Sequence, residues 1–200
     1  MQDKDNTNGF MPAGYEIPQT SNYMKFLDGA NPFRVLSPAI VGYEYWNNDN
    51  KPVRSRTQFT STPNAKVGQD GNIKVSHFWA FVVYNYNAKK IQILQINQKG
   101  IQEYIQGFNN NPKWGNPQGY DIVVNRSGAN LDTSYTVMCE PHTPVATEVL
   151  EAYKSMNINL EALYSGQDPF ALGGASTATQ AKVDYPSAEE EGIDPASVPF

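Results

Sequence analysis

Residues 75–86 read VSHFWAFVVYNY and carry the strongest β-strand signal of the chain. Aromatic and β-branched residues dominate this run, which is typical of a strand. The turn Asn87-Ala88-Lys89-Lys90 follows, and IQILQI at 91–96 returns, so the two runs predict a β-hairpin. Alternation gives the first strand two faces, and both carry rings: Phe78, Ala80, Val82, Tyr84 and Tyr86 against His77, Trp79, Phe81, Val83 and Asn85. One face must fill a core and the other must face something else, but the sequence does not say which.

Elements on both sides of this hairpin extend the prediction. A long strand over 33–46 is interrupted at Ser37-Pro38 and bent at Gly42, and the residues before it suggest a short hairpin around Asp28-Gly29. After the central hairpin, Ile101, Tyr104, Ile105 and Phe108 have the spacing of one helical face, which predicts a helix over 98–109. Strands are expected at 119–126 and 133–139.

This order of elements is that of an OB-fold, a five-stranded barrel with a helix between strands 3 and 4. We therefore expect a mainly β protein with four parts. They are a disordered segment 1–22, an OB-fold domain 23–142, a helical appendage 143–166 starting at Thr143-Pro144, and a disordered acidic tail 167–200.

The charges are divided unevenly along the chain. Residues 23–139 hold 12 Lys/Arg against 7 Asp/Glu, whereas residues 140–200 hold 2 basic and 10 acidic residues. Such asymmetry indicates a nucleic-acid partner, with a solvated charged surface as the plainer alternative. The single Cys139 and the lack of a signal peptide or long apolar run predict a soluble intracellular protein that does not act at a membrane.

The basic and aromatic residues are interleaved, as a single-strand binding groove requires. Such a groove needs cations for the phosphates and rings on which bases stack. In an OB-fold, oligonucleotides bind across strands 2 and 3, between the loops that here span 47–74 and 127–132. The predicted nucleic-acid-binding residues are Trp46, Lys51, Arg54, Arg56, Phe59, Lys74, Trp79, Tyr84, Tyr86, Lys89, Lys90 and Arg126.

Other chemistry finds little support in the sequence. Cys139 and His142 form a CxxH pair, but with only His77 besides them they cannot supply the four ligands of a structural zinc site. No phosphate-binding glycine motif occurs, and the carboxylates are scattered. We predict no enzyme activity, no cofactor and no metal.

The chain ends in SAEEEGIDPASVPF at 187–200, an acidic stretch that closes on an aromatic ring. A solubilising tail explains the glutamates but not Phe200. The ring and its carboxylate suit capture by a pocket on a partner protein, with Asp194, Pro199 and Phe200 as the contact residues.

Several stretches together resemble single-stranded DNA-binding proteins of tailed bacteriophages. These are FLDGANPFRVLSPAIVGYEYW (26–46), HFWAFVVYNY (77–86), IQILQINQKGIQ (91–102) and GYDIVVNRSG (119–128), and the ending is similar to the acidic tips of bacterial single-stranded DNA-binding proteins. The resemblance implies an OB-fold and sequence-independent coating of single-stranded DNA during phage replication, recombination and repair in the host cytoplasm. Recruitment of a polymerase, primase or helicase through the tail is also expected. A strand-annealing recombination protein and an RNA-binding or general interaction module remain as alternatives, and homo-oligomerisation is left open.

Overall fold

The computed structural model describes residues 21–171, so the expectations for residues 1–20 and 172–200 lie outside the described part. Within it the chain is mainly β, with eight strands and two α-helices. The strands are β1 (Tyr23–Met24), β2 (Gly29–Val35), β3 (Ile40–Trp46), β4 (Pro52–Ser55), β5 (Ser76–Asn85), β6 (Lys90–Ile96), β7 (Asp121–Ser127) and β8 (Ser134–Cys139). The helices are α1 (Lys99–Asn110) and α2 (Thr147–Met156), and 3₁₀ turns lie at Pro117–Gly119, Asn130–Asp132 and Leu160–Ser165.

Strand β5 is the centre of the sheet, and the predicted hairpin with β6 is confirmed with Asn85 opposite Lys90. On its other side β5 pairs with β2 at one end and with β3 at the other. The predicted interruption at Ser37-Pro38 separates these two strands. Its cause is visible in the hydrogen bonds, because the Ser37 hydroxyl accepts from the amide of Val82 and donates to the carbonyl of Pro38. The side chain thus occupies the point at which the strand leaves the ladder.

The sheet continues through β2 to β7 and β8 but does not close into a barrel. The expected mainly β fold is therefore confirmed, but the described strands do not close into the expected five-stranded barrel. The outer edge of β6 pairs in parallel with β1, which places Tyr23 opposite Ile93, and the described residues form no pairing between β6 and β8. The two-residue strand β1 thus occupies the edge of β6 with which β8 would pair in a closed barrel.

The hairpin predicted around Asp28-Gly29 is also wrong, because β1 pairs with β6 and not with β2. The chain does turn there, with Gly29 at a φ of +86°. The Asn31 side chain holds the turn by accepting from the amide of Leu27 and donating to its carbonyl, both at 2.8 Å. A polar side chain therefore makes the turn without any strand pairing across it.

One side of the sheet packs against α1, where Ile101 and Ile105 are buried against Phe81, Leu94 and other apolar side chains. Tyr104, which has the same spacing, is exposed instead. The neighbouring Gln102 takes the buried place and donates to the carbonyl of Ile96 at 2.8 Å. The predicted helix is confirmed within one residue at each end, but its buried face is rotated from the predicted one.

The other side of β5 and β6 is covered by the C-terminal segment, which we define as residues 145–171. Leu160 and Leu163 are buried against Phe78, Val82 and Ile93. The Tyr164 hydroxyl donates to the carbonyl of Val41 at 2.6 Å, and its ring approaches Gly42 so closely that a Cβ there would lie 3.2 Å from it. Both faces of the central strand therefore pack against other parts of the chain over most of its length, which explains why both carry rings.

The C-terminal segment departs from the predicted boundaries at each end. Helix α2 starts at Thr147 and not at Thr143-Pro144, because Thr143 binds the buried Arg34: its carbonyl accepts from the guanidinium at 2.7 Å. At the other end Gln167 donates to the carbonyl of Ala162, and the carbonyl of Pro169 accepts from Asn159. Hydrogen bonds also hold Asn22, whose carbonyl accepts from Ile93. The folded part thus extends past both predicted limits.

Candidate nucleic-acid interface

Three neighbouring concavities lie at the end of the sheet where β3, β5 and β6 meet α1. The Trp46 groove is lined by Glu44, Trp46, Lys66, Val67, Gly68, Lys74, Ser76, Asn97 and Gln98. The His77 groove is lined by Val41, Ser76, His77, Trp79, Asn97, Lys99, Gln102, Glu103 and Gln106. The Trp79 pocket is lined by Val35, Ser37, Pro38, Ala39, Val41, Trp79, Phe81, Ile105, Gln106, Asn109, Asn110, Asn116, Pro117 and Gln118. Shared residues join them in this order, since Ser76 and Asn97 belong to the first two and Val41, Trp79 and Gln106 to the last two.

The Trp46 groove combines an exposed ring with positive charge. Trp46 ends β3 opposite Pro52 and keeps half of its surface exposed. Lys66 donates to the Asn50 side chain at 2.8 Å, and Lys74 lies on the opposite side of the chain's turn at 67–73. Within the described residues neither lysine is in an ion pair. The groove can therefore present an uncompensated cation beside an aromatic surface.

The His77 groove continues round the end of β5. Residues opposite each other on paired strands share a face, and β3 places Val41 beside Trp79 and Tyr43 beside His77. The rings of Tyr43 and His77 are 5.4 Å apart and meet edge to face. Lys99 stands at the start of α1 and forms an exposed ion pair with Glu103 at 3.4 Å. This groove thus combines aromatic rings with one cation, Lys99, whose charge is balanced by Glu103.

The Trp79 pocket has a volume of about 500 Å³ and differs in chemistry from the two grooves. Val35, Phe81 and Ile105 form its buried apolar floor, and the half-buried Trp79 forms one wall. Carboxamide side chains form the rim: Gln106, Asn109, Asn110, Asn116 and Gln118. None of the lining residues carries a charge.

Two of the predicted phosphate ligands are held by carboxylates. The side chain of Arg54 is only 9% exposed. Its Nε lies 2.7 Å from a carboxylate oxygen of Glu44, although the N–H does not point at that oxygen. Its guanidinium lies 5.5 Å from the centre of the Phe78 ring. Arg56 pairs with Glu161 of the C-terminal segment and stacks on Tyr164. Both arginines therefore fasten parts of the protein to each other, and Arg54 in particular is not presented to a ligand.

Two of the predicted stacking rings are packed within the protein, and a third, Tyr86, is exposed but lies just past the far end of β5. Phe59 lies edge to face against the buried Tyr45 at 4.8 Å. Tyr84 lies under the C-terminal segment, in edge contact with Tyr86. Tyr86 donates to Asp121 at 2.9 Å, and burial together with this hydrogen bond raises its pKa to about 12. Of the predicted rings, Trp46 and Trp79 remain available at the interface.

The remaining predicted cations are not all at this end. Lys51 is exposed in the turn between β3 and β4, close to Trp46. Lys89 lies in the β5–β6 turn and Lys90 begins β6, about 20 Å along the strand from Trp79, given roughly 3.3 Å per residue. Arg126 is half-buried on β7 opposite Gly29, at that same far end. The predicted set therefore divides between two ends of the sheet.

Sequence reasoning missed five residues that the structure adds to the interface: Tyr43, Lys66, His77, Lys99 and Gln106. The alternation of β5 did place His77 and Trp79 on one face, but only the register with β3 brings Tyr43 to them. Asp194, Pro199 and Phe200 lie outside the described residues.

The described helices include none that is long and apolar enough to cross a membrane, and residues 21–171 contain no group of three or more His, Cys, Asp or Glu placed to hold a metal ion. Comparisons with models of protein families, with curated proteins and with solved structures found no match.

Proposed function

We propose that this chain binds single-stranded DNA without a recognition sequence and coats it during phage replication and recombination. One observation carries the proposal: Trp46 and Trp79 line adjoining grooves, with Lys66 and Lys74 beside the first. Bases stack on aromatic side chains irrespective of their identity, and lysines attract the phosphates between them. An arrangement of rings with nearby cations is what such binding requires.

The strand pairing supports an OB-fold that is open on one side. The interrupted strand β2–β3 pairs with β5 and, through β2, with β7, and α1 separates β6 from β7. This order agrees with the OB-fold, which is a partly open barrel. We propose that the opening lies between β6 and β8 and that β1 fills it.

The binding path we propose differs from the usual oligonucleotide face of this fold. That face, on strands 2 and 3, corresponds to the side of β5 and β6 that the C-terminal segment covers. A strand would instead follow the Trp46 groove, pass Ser76 and Asn97 at the end of the sheet, and enter the His77 groove. A groove of this shape accommodates one flexible strand better than a stiff duplex.

Titration of the protein with a fluorescein-labelled dT oligomer over a salt series tests the proposal. We expect affinity to fall with salt at a slope of about −0.7 per phosphate neutralised. Trp46→Ala should weaken binding by about 5- to 150-fold, the equivalent of the roughly 1–3 kcal/mol that one stacked base contributes. Lys66→Ala with Lys74→Ala should reduce the salt slope.

Lys113→Ala with Lys154→Ala is the matched control, because both lysines are exposed and lie outside the three concavities. It should leave the slope nearly unchanged. A slope near zero for the unaltered protein, or equal affinity for duplex and single strand, contradicts the proposal. Competition between dT and U homopolymers distinguishes DNA binding from RNA binding.

A further inference from the structure

The Trp79 pocket adjoins the proposed path of the strand, but its chemistry is unsuited to a phosphate. Its lining residues include no Lys, Arg or His, while the His77 groove beside it contains Lys99, which is ion-paired with Glu103 of the same groove. The two share Val41, Trp79 and Gln106, so a ligand could extend from one into the other. The ligand that matches this pair of sites has an uncharged aromatic part and an anionic part a few ångströms away, as a nucleotide unit does.

The size and polarity of the pocket suit a nucleobase. Small-ligand sites usually measure roughly 300–1,000 Å³ and are apolar with a few polar groups, and this cavity of about 500 Å³ falls in that range. Its floor of Val35, Phe81 and Ile105 is buried, so the lower part would receive the face and body of the base. The carboxamides lie at the mouth, where the base edge would remain within reach.

The hydrogen bonds of the rim single out one carboxamide. Gln118 donates to the carbonyl of Leu36, and Asn116 is engaged with Gln118. The exposed side chain of Gln106 makes no hydrogen bond within residues 21–171 and stands where the pocket opens into the His77 groove. A carboxamide offers a donor and an acceptor together, which pairs with the edge of a base.

We infer that the Trp79 pocket is a base-insertion subsite of the proposed DNA path. One base of the bound strand leaves the stack and enters the pocket against Trp79. Its edge exchanges hydrogen bonds with Gln106, and the phosphate beside it stays in the His77 groove, where it competes with Glu103 for Lys99. The inference rests on the proposed function. It adds that the affinity for DNA depends on base composition, although no recognition sequence is required.

The test uses the full chain and short homopolymers of dT, dC and dA of equal length, together with an oligomer of abasic residues. Ala39→Trp places a bulky ring at the exposed lip of the pocket, and Gln106→Ala removes the carboxamide. Ala152→Trp, on the exposed side of α2, is the matched control. The unaltered protein should distinguish the homopolymers by about fivefold or more, the lower end of what one good base contact gives.

Ala39→Trp should weaken binding of the preferred homopolymer by a similar factor and reduce the differences among homopolymers to less than twofold. Gln106→Ala should reduce the differences while leaving the salt slope unchanged, and Ala152→Trp should change neither. If the unaltered protein binds single strands but Ala39→Trp and Gln106→Ala keep its base preferences, the insertion subsite is overturned and the proposed function stands. If it binds no oligomer at all, both fail.

Discussion

Arg54 and Arg56 are two residues apart, and the sequence offers them as equivalent phosphate ligands. In the structure Arg54 lies in the sheet beside Glu44, which is 3% exposed and also accepts hydrogen bonds from Gln95. Arg56 lies at the surface beside Glu161, with 66% of its side chain exposed. The difference comes from the pairing of β3 with β4, which places Glu44 directly opposite Arg54. A count of charges along the chain contains no information about such a partner.

This contrast gives a prediction about stability. Arg54→Ala leaves the Glu44 carboxylate buried without its cation and should lower the free energy of unfolding by about 3 kcal/mol. Arg56→Ala removes a solvated pair and should cost about 1 kcal/mol or less. Urea denaturation monitored by circular dichroism measures both. Adding Glu44→Gln to Arg54→Ala should recover part of the loss, and equal effects of the two single variants would contradict the assignment.

A second residue-scale prediction concerns Cys139, which ends β8 opposite Ile122. Burial, with a smaller contribution from Glu140, raises the pKa of its thiol to about 12. The reactive thiolate is therefore scarce at pH 8, where an ordinary cysteine with a pKa near 8.5 is about one quarter ionised. Alkylation by iodoacetamide at pH 8 should be slow in the folded protein and at least about tenfold faster in urea. Similar rates in the two conditions would show an accessible thiol.

At the level of elements, sequence patterns within short windows predicted the elements that form through local contacts. The β5–β6 hairpin and α1 follow from alternation, turn residues and helical spacing within short windows, and the structure confirms them. Pairings over long distances were not predictable in this way. No residue near Tyr23 indicates that it pairs with Ile93. Likewise, no residue near Thr143 indicates that Arg34 donates a hydrogen bond to its carbonyl. The same limit applies to the candidate site, for which the sequence predicted Trp46 and Trp79 but not Tyr43.

The C-terminal segment leads to a prediction about the limits of the domain. A chain ending at residue 144 would expose Phe78, Val82 and Ile93, which Leu160 and Leu163 now cover. It should aggregate or unfold at a much lower temperature, because an exposed apolar patch of this kind is not tolerated in a monomer. A chain ending at residue 171 should keep the thermal midpoint of the full chain. Calorimetry of both truncations decides the matter.

Leu163→Ala provides a test within the full chain, since it removes buried side-chain volume without removing the segment. A loss of about 2–5 kcal/mol is expected for such a change. Leu150→Ala, on the partly exposed helix α2, is the matched control and should cost less than about 1 kcal/mol. Equal losses would mean that the segment packs differently.

For the whole molecule, the proposed function makes the acidic residues beyond 171 a competitor for the lysines of the Trp46 groove. Deletion of 187–200 removes Glu189, Glu190, Glu191 and Asp194 and changes the net charge from −5 to −1. We expect single-stranded DNA to bind more tightly by about 1 kcal/mol at low salt and not at high salt, because solvated charge pairs are weak and screened. A truncated chain that binds DNA more weakly would show that the tail belongs to the binding surface.

Deletion of Phe200 alone separates recruitment from coating. It should leave the affinity for a dT oligomer unchanged, since the ring carries no charge that competes for the lysines. Pull-down of a replication polymerase or primase by the full chain should be lost, because one buried phenylalanine contributes roughly 1.5–3 kcal/mol to a peptide–pocket contact. Retained pull-down would assign recruitment to another part of the molecule.

The pairing of β1 with β6 determines how long β1 stays unpaired while the chain is being synthesised. Met24 is opposite Leu94, so about 70 residues must be synthesised after the first strand before its partner exists. At about 5–20 residues per second this takes roughly 4–14 s. During that time Met24, which is buried in the finished fold, has no surface to cover it. Among the described residues, the first part of the core to leave the ribosome therefore remains uncovered until the middle of the chain is made, and a stalled ribosome would prolong its exposure.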